Sequence, residues 1–325
     1  MEYREIGRSG LMIAPVMLGG NVFGWTADKA ASFALLDEFL GNGFNAIDTA
    51  DQYSIWAPGH SGGESETLIG EWLKTSGRRA SIVIATKVGR DLGNGKKGLS
   101  APYIVKAAEG SLRRLQTEYI DLYQSHVDDF ETPLDETLEA YHLLIKAGKI
   151  RAIGASNYSA MRLSKSLEIS AARNLPRYES LQPHYNLYER AAFESELRDT
   201  CLENKIGVVT YYSLASGFLT GKYRSEKDLS KSARGGAGWI SRFLNDRGFR
   251  ILAAVDKIAV EHNAAPAQVA LAWLIAQPGV TAPIVSATSV EQLNDILGAA
   301  RLKLDASQMA DLNVASESEV VAAKR

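Results

Sequence analysis

Short apolar runs alternate with amphipathic stretches eight times along the 325 residues, and that rhythm limits the architectures open to the chain more than any other feature. The runs fall at 16–19, 44–47, 82–86, 120–124, 152–155, 179–182, 208–211 and 283–285. Each is short, and most are largely apolar, as expected of strands buried on both faces. The intervening segments 27–40, 64–74, 101–116, 133–147, 159–172, 191–203, 249–261 and 290–299 read as helices. Strand and helix alternating with no break in composition predict the α/β class, as a closed parallel (β/α)8 barrel and not an open doubly wound sheet. Barrels of this length fold as one unit, so residues 1–325 are expected to form a single domain.

Additions to the repeat can be placed as well. Residues 3–6 and 11–13 flank Gly7-Arg8-Ser9-Gly10, which predicts an N-terminal β-hairpin. Ser100 followed by Pro102 predicts a helix start with Ser100 as N-cap. In the helix after the fifth strand, Met161, Leu163 and Leu167 are expected to form the apolar side. The nearly continuous apolar run 266–275 predicts an extra buried helix capping part of the barrel. Three long connections, 52–63, 89–98 and 213–246, are expected at the C-terminal mouth of the barrel, where loops of this length are usually functional. The short tail after Leu312 implies a mouth open to bulky compounds.

Bulk properties exclude several classes. A net charge of −2 and a pI near 6.3, with no basic stripe, argue against nucleic acid as partner. A single cysteine, Cys201, excludes an internal disulfide framework, fits a reducing compartment and reads as a helix-packing thiol. With no signal-peptide pattern and no apolar run of membrane length, the expectation is a cytoplasmic chain without membrane association. The five histidines lack metal-ligand spacing, so no metal site is expected. No G-x-G-x-x-G follows the first strand. The Gly217 to Lys222 segment has three residues between its glycines, too few for a phosphate loop of the Walker type, yet it can still hold an anion.

Chemistry is concentrated where three successive strands end. Asp48 closes the second strand, with Tyr53 a few residues beyond; Lys87 closes the third, and His126 the fourth. A phenol has an ordinary pKa of about 10, so Tyr53 needs a neighbouring cation to act near neutrality. Lys87 within a few ångströms is expected to lower that pKa by about 1 to 3 units, with Asp48 as the counterion of an otherwise poorly solvated lysine. His126 can hydrogen-bond a substrate oxygen or help to pass the proton. Phe23, Trp25, Trp56 and Trp239 are candidate walls of a substrate pocket.

Together with Gly154-Ala-Ser-Asn-Tyr158, Leu181-Gln-Pro-His-Tyr-Asn-Leu-Tyr188 and Tyr211-Tyr-Ser-Leu-Ala-Ser-Gly-Phe-Leu-Thr-Gly-Lys222, these residues closely resemble the aldo-keto reductase superfamily. The likeness is strongest to the bacterial branch that also resembles potassium-channel beta subunits. The resemblance covers nearly the whole chain. It implies a TIM barrel that binds NADP(H) extended, without a Rossmann domain, and interconverts a small-molecule carbonyl and an alcohol. A cofactor-binding, redox-sensing subunit with little turnover is the alternative it implies.

Carried over by position, the resemblance makes Tyr53 the general acid, Lys87 and Asp48 its tuning pair, and His126 the residue orienting the carbonyl. Ser156, Asn157 and Gln182 match positions that hydrogen-bond the nicotinamide carboxamide, and Tyr211 matches the aromatic stacked on its ring. Leu214, Gly217 and Lys222 match the pyrophosphate strap, while Ser286, Thr288 and Gln292 lie in the segment around the adenosine 2'-phosphate. Departures occur at Tyr212 and Ser213, in place of serine and proline. Thr288 stands where many relatives have arginine, and Ile296 where asparagine often contacts adenine. Without that arginine the preference over NAD(H) is expected to weaken. Sequence alone leaves the oligomeric state, the substrate and the direction of reaction open.

Overall fold

The computed structural model describes residues 1–93 and 95–317. A two-stranded antiparallel hairpin, β1 (Arg4–Glu5) and β2 (Met12–Ile13), precedes the barrel. The barrel strands are β3 (Met17–Gly19), β4 (Ala46–Asp48), β5 (Val83–Val88), β6 (Ile120–Ser125), β7 (Ile150–Ser156), β8 (Tyr178–Gln182), β9 (Gly207–Thr210) and β10 (Val280–Val285). All pair in parallel in chain order, and β10 closes on β3. The predicted (β/α)8 barrel is therefore the observed fold.

Helices α1 (Lys29–Gly41), α2 (Glu64–Ser76), α3 (Ala101–Leu115), α4 (Leu134–Lys146), α5 (Ala160–Arg173) and α6 (Glu196–Glu203) follow β3, β4, β5, β6, β7 and β8 in turn. After β9 come a short α7 (Ala233–Gly236), then α8 (Asp246–Glu261) and α9 (Pro266–Ile275); α10 (Val290–Leu297) and α11 (Ala306–Ser316) follow β10. No described helix is long and apolar enough to cross a membrane.

Strand alternation divides the side chains into two sets. Outward-facing Ile84, Tyr123 and Ile153 join the large core between sheet and helices. Inward-facing Met17, Ala46, Val83, Ala85, Leu122, Ala152, Val209 and Ala282 form a second, smaller cluster with Ile6, Leu11 and Ile13 of the hairpin. The hairpin thus plugs the N-terminal end of the barrel. It approaches so closely that a Cβ on Gly207 would lie 2.6 Å from the Gly7 nitrogen.

Several local expectations need correction. The plug is the hairpin and not the apolar helix 266–275: α9 buries its apolar residues against α8, α10 and β10 on the outside of the wall. Residues 191–195 form turns before α6, so the predicted helix there begins late. Met161 is exposed while Leu163 is buried, because side chains two positions apart on a helix cannot share a face. Ser100 is the N-cap of α3 by position, but its hydroxyl makes no cap bond; the Ala101 N–H donates instead to Glu136 at 2.9 Å. Helix α11 was not expected. It packs on α8, and its Asn313 accepts from the Trp273 indole at 2.9 Å. The described part of the tail after Leu312, residues 313–317, is therefore docked, and residues 318–325 lie outside the described residues.

Candidate active site

At the C-terminal end of the barrel the inward positions change from apolar to polar. Counting by twos from the inner cluster leads from Ala46 to Asp48, from Ala85 to Lys87 and from Leu122 to Gln124, in a register that pairs Asp48 with Ala85 and Lys87 with Gln124. Lys87 is fully buried, and its Nζ donates to Asp48 Oδ2 at 2.7 Å, the Thr49 carbonyl at 2.8 Å and the Tyr53 hydroxyl at 2.8 Å. Three acceptors around one nitrogen use all three donors of an ammonium. The Tyr53 hydroxyl donates in turn to Asp48 Oδ2 at 3.0 Å. The other Asp48 oxygen accepts from Gln182 at 2.9 Å and, at 3.5 Å, from Gln124. Gln124 was not singled out from the sequence, since a glutamine inside an apolar run gives no chemical signal.

The electrostatics differ from expectation in one respect. Burial, and then the adjacent Asp48 carboxylate, push the Tyr53 phenol well above its ordinary value. The lowering expected from Lys87 is outweighed first by burial and then by Asp48, which accepts the phenolic hydrogen bond directly. Tyr53 is therefore held protonated, as a proton donor must be. Burial pulls the Lys87 amine below its usual range, and Asp48 opposes that pull. Burial, followed by the charges of Lys87 and Arg90, holds the His126 imidazole neutral, well below its ordinary range. Its Nδ1 is buried without a hydrogen-bond partner. The ring stands edge to face with Tyr53 at 6.1 Å.

A cavity of about 850 Å³ opens beside this cluster. Its lining includes Asp48, Tyr53 and His126, together with all ten residues matched to cofactor positions: Ser156, Asn157, Gln182, Tyr211, Leu214, Gly217, Lys222, Ser286, Thr288 and Gln292. Asn157, in the left-handed region at φ 59°, joins several of them. Its amide donates to the His126 carbonyl at 2.9 Å and to Ser156 Oγ at 3.0 Å, and its oxygen accepts from the Tyr211 hydroxyl at 2.8 Å. His184 backs the Tyr211 ring, stacked at 5.2 Å. Further along, Ala215, Ser216 and Gly217 have successive positive φ values of 48°, 59° and 100°. The Ala215 and Gly217 N–H groups close tight turns onto the Tyr212 and Leu214 carbonyls at 2.7 and 2.8 Å, and Lys222 lies next to this turn.

These features fit a long ligand with a planar, amide-bearing head and a charged middle. Residues from all three long connections reach the cavity, among them Trp56, Arg90 and Lys231. Trp25 and Trp56 line it, edge to face at 5.9 Å. Of the other expected walls, Phe23 is buried in the core, and Trp239 is exposed and outside the lining. Arg90 was also missed, because a lone arginine in a glycine-rich connection carries no periodic signal. Cys201 is buried in α6 with its thiol pushed up to about 12 by burial, which makes it unreactive. No cluster of metal-ligating side chains occurs among the described residues.

Behind the site, the Asp51 carboxyl is buried with neither oxygen hydrogen-bonded, and burial and Glu66 raise its pKa to about 8. Nothing in the sequence marked it.

The model of the Aldo/keto reductase family matches residues 15–317. An oxidoreductase of Bacillus subtilis named YrpG is 36% identical over 96% of this chain and 95% of its own. A probable voltage-gated potassium channel subunit beta of Oryza sativa is 32% identical over 90% and 89% of the two chains. The L-glyceraldehyde 3-phosphate reductase of Escherichia coli is 30% identical over 91% and 86%.

Proposed function

We propose, from the premise that the chain belongs to the aldo/keto reductase family and is an oxidoreductase, that it interconverts an aldehyde or ketone and an alcohol using NADP(H). The observation that carries the reading is the triangle of Tyr53, Lys87 and Asp48 opening on the cavity. When bound, the cofactor supplies the hydride for reduction and accepts it in the reverse direction.

Tyr53 is the group that gives its proton to the carbonyl oxygen as negative charge develops there. To do so its O–H turns from Asp48 to the substrate, and the Lys87 ammonium stabilises the phenolate left behind. General acid catalysis of this kind is worth about 10²- to 10⁴-fold. His126, neutral, offers an N–H to the same oxygen and fixes the carbonyl's direction. Ser156, Asn157 and Gln182 are the groups we assign to the carboxamide, and Tyr211 to one face of the nicotinamide ring, so that hydride passes on the other face only. Lys222 and the 215–217 turn are assigned to the pyrophosphate.

For the adenosine end, Ser286 and Thr288 supply hydroxyls, while residues 286–296 contain no lysine or arginine and Asp295 also lines the cavity. Discrimination against NAD(H) is accordingly expected to be modest.

The likeness to the rice channel subunit favours a second reading, a cofactor-binding regulatory subunit with little turnover. One experiment separates the two: titrate the protein with NADPH and NADH side by side, then follow cofactor oxidation with a panel of aldehydes and ketones. Reduction of simple aldehydes supports the enzyme. Tight cofactor binding with no turnover of any carbonyl supports the subunit.

A further inference from the structure

Three cations line the cavity, and they are not equivalent. Lys231 is paired with Asp228 at 2.7 Å. Lys222 accepts from Lys231 at its carbonyl, but its side chain makes no hydrogen bond or ion pair among the described residues and lies beside Gly217, at the turn assigned above to the pyrophosphate. Arg90 also makes none, and it is exposed to solvent within the cavity lining.

Arg90 follows Lys87 by three residues, beyond a turn at Gly89 with φ of 118°. Its charge acts on Tyr53, His126 and Tyr211. The unpaired guanidinium therefore belongs to the reacting end of the cavity. No carboxylate is available to it there: Asp48 is committed to Lys87, and the other lining carboxylate, Asp295, is on α10 with the adenosine segment. A guanidinium presents a planar fork that matches carboxylate and phosphate oxygens two at a time. Trp25 and Trp56 add flat apolar walls at the same end.

We propose that Arg90 is a substrate-anion site, and that the preferred substrates are carbonyl compounds bearing a carboxylate or phosphate that Arg90 binds while the carbonyl meets Tyr53. This rests on the reductase reading above. No bond is made or broken at Arg90; it is a binding and specificity residue.

The test compares matched aldehydes in wild type, Arg90→Gln and Arg90→Lys: para-carboxybenzaldehyde against benzaldehyde, and glycolaldehyde phosphate against glycolaldehyde. A charge-assisted pair predicts a charged-to-neutral ratio of kcat/KM that falls about tenfold or more in Arg90→Gln, through KM, with Arg90→Lys in between. The pair that shows the fall identifies carboxylate or phosphate. A ratio unchanged in Arg90→Gln for both pairs overturns the proposal. If wild type reduces none of the four aldehydes, the reductase reading fails, and quenching of Trp25 and Trp56 emission by the two anionic aldehydes decides the site alone. A Kd about tenfold weaker in Arg90→Gln then supports it; an unchanged Kd overturns it.

Discussion

Lys87 Nζ lies 2.7 Å from Asp48 Oδ2, and neither side chain reaches solvent. Removing one member of a buried pair leaves the other charge uncompensated, at a cost of about 3–5 kcal/mol. Lys87→Met is therefore expected to lose stability on that scale in urea denaturation, along with most turnover. The double variant Asp48→Asn/Lys87→Met should recover more than half of the lost stability and none of the turnover. A double variant no more stable than the single one would show that the two charges are not coupled.

Asp51 gives the pH dependence. Its pKa rises from 3.8 in the unfolded chain to about 8 in the fold, so between those values the folded state holds the extra proton. A raised pKa contributes stability below the unfolded value that is lost as pH climbs through the folded one. For this group the loss is at most about 1.4 kcal/mol per pH unit. Melting temperature is expected to fall between pH 5 and pH 8 in wild type and to fall less in Asp51→Asn. Parallel curves for the two proteins would remove Asp51 as the cause.

Much of the barrel was legible because its strands are buried on both faces, which leaves short apolar runs that turn-forming residues bound clearly. Their polar ends were legible only jointly: Asp48, Tyr53, Lys87 and His126 at three successive strand ends point to one site, where each alone reads as a satisfied polar residue. Residues whose significance comes from tertiary contact were not. The hairpin's role as plug depends on Ile6, Leu11 and Ile13 meeting the barrel interior, and α11 is held partly by side chains far away in sequence, among them Trp273. The direction of the Tyr53 shift was not legible because the sequence shows neither how deeply the phenol is buried nor that its hydroxyl donates to Asp48.

Cofactor choice can be moved at Thr288. It is exposed at the cavity, with its hydroxyl donating to Gln292 at 3.0 Å, so an arginine there has room and no buried partner to lose. Thr288→Arg is expected to tighten NADPH binding about tenfold by adding one charge-assisted contact, while NADH changes little. Tryptophan fluorescence titration with both cofactors reads the difference. Equal shifts for both would mean that position 288 does not face the 2'-phosphate.

The role of Tyr53 is tested most directly by Tyr53→Phe, which keeps the ring and removes only the hydroxyl between Lys87 and Asp48. NADPH affinity and the single-turnover rate with one aldehyde are measured on the same preparation. Affinity should stay within about threefold of wild type, while the rate drops by at least about 100-fold. A rate close to that of wild type, or a rate and an affinity lost in equal measure, would contradict proton donation by this phenol.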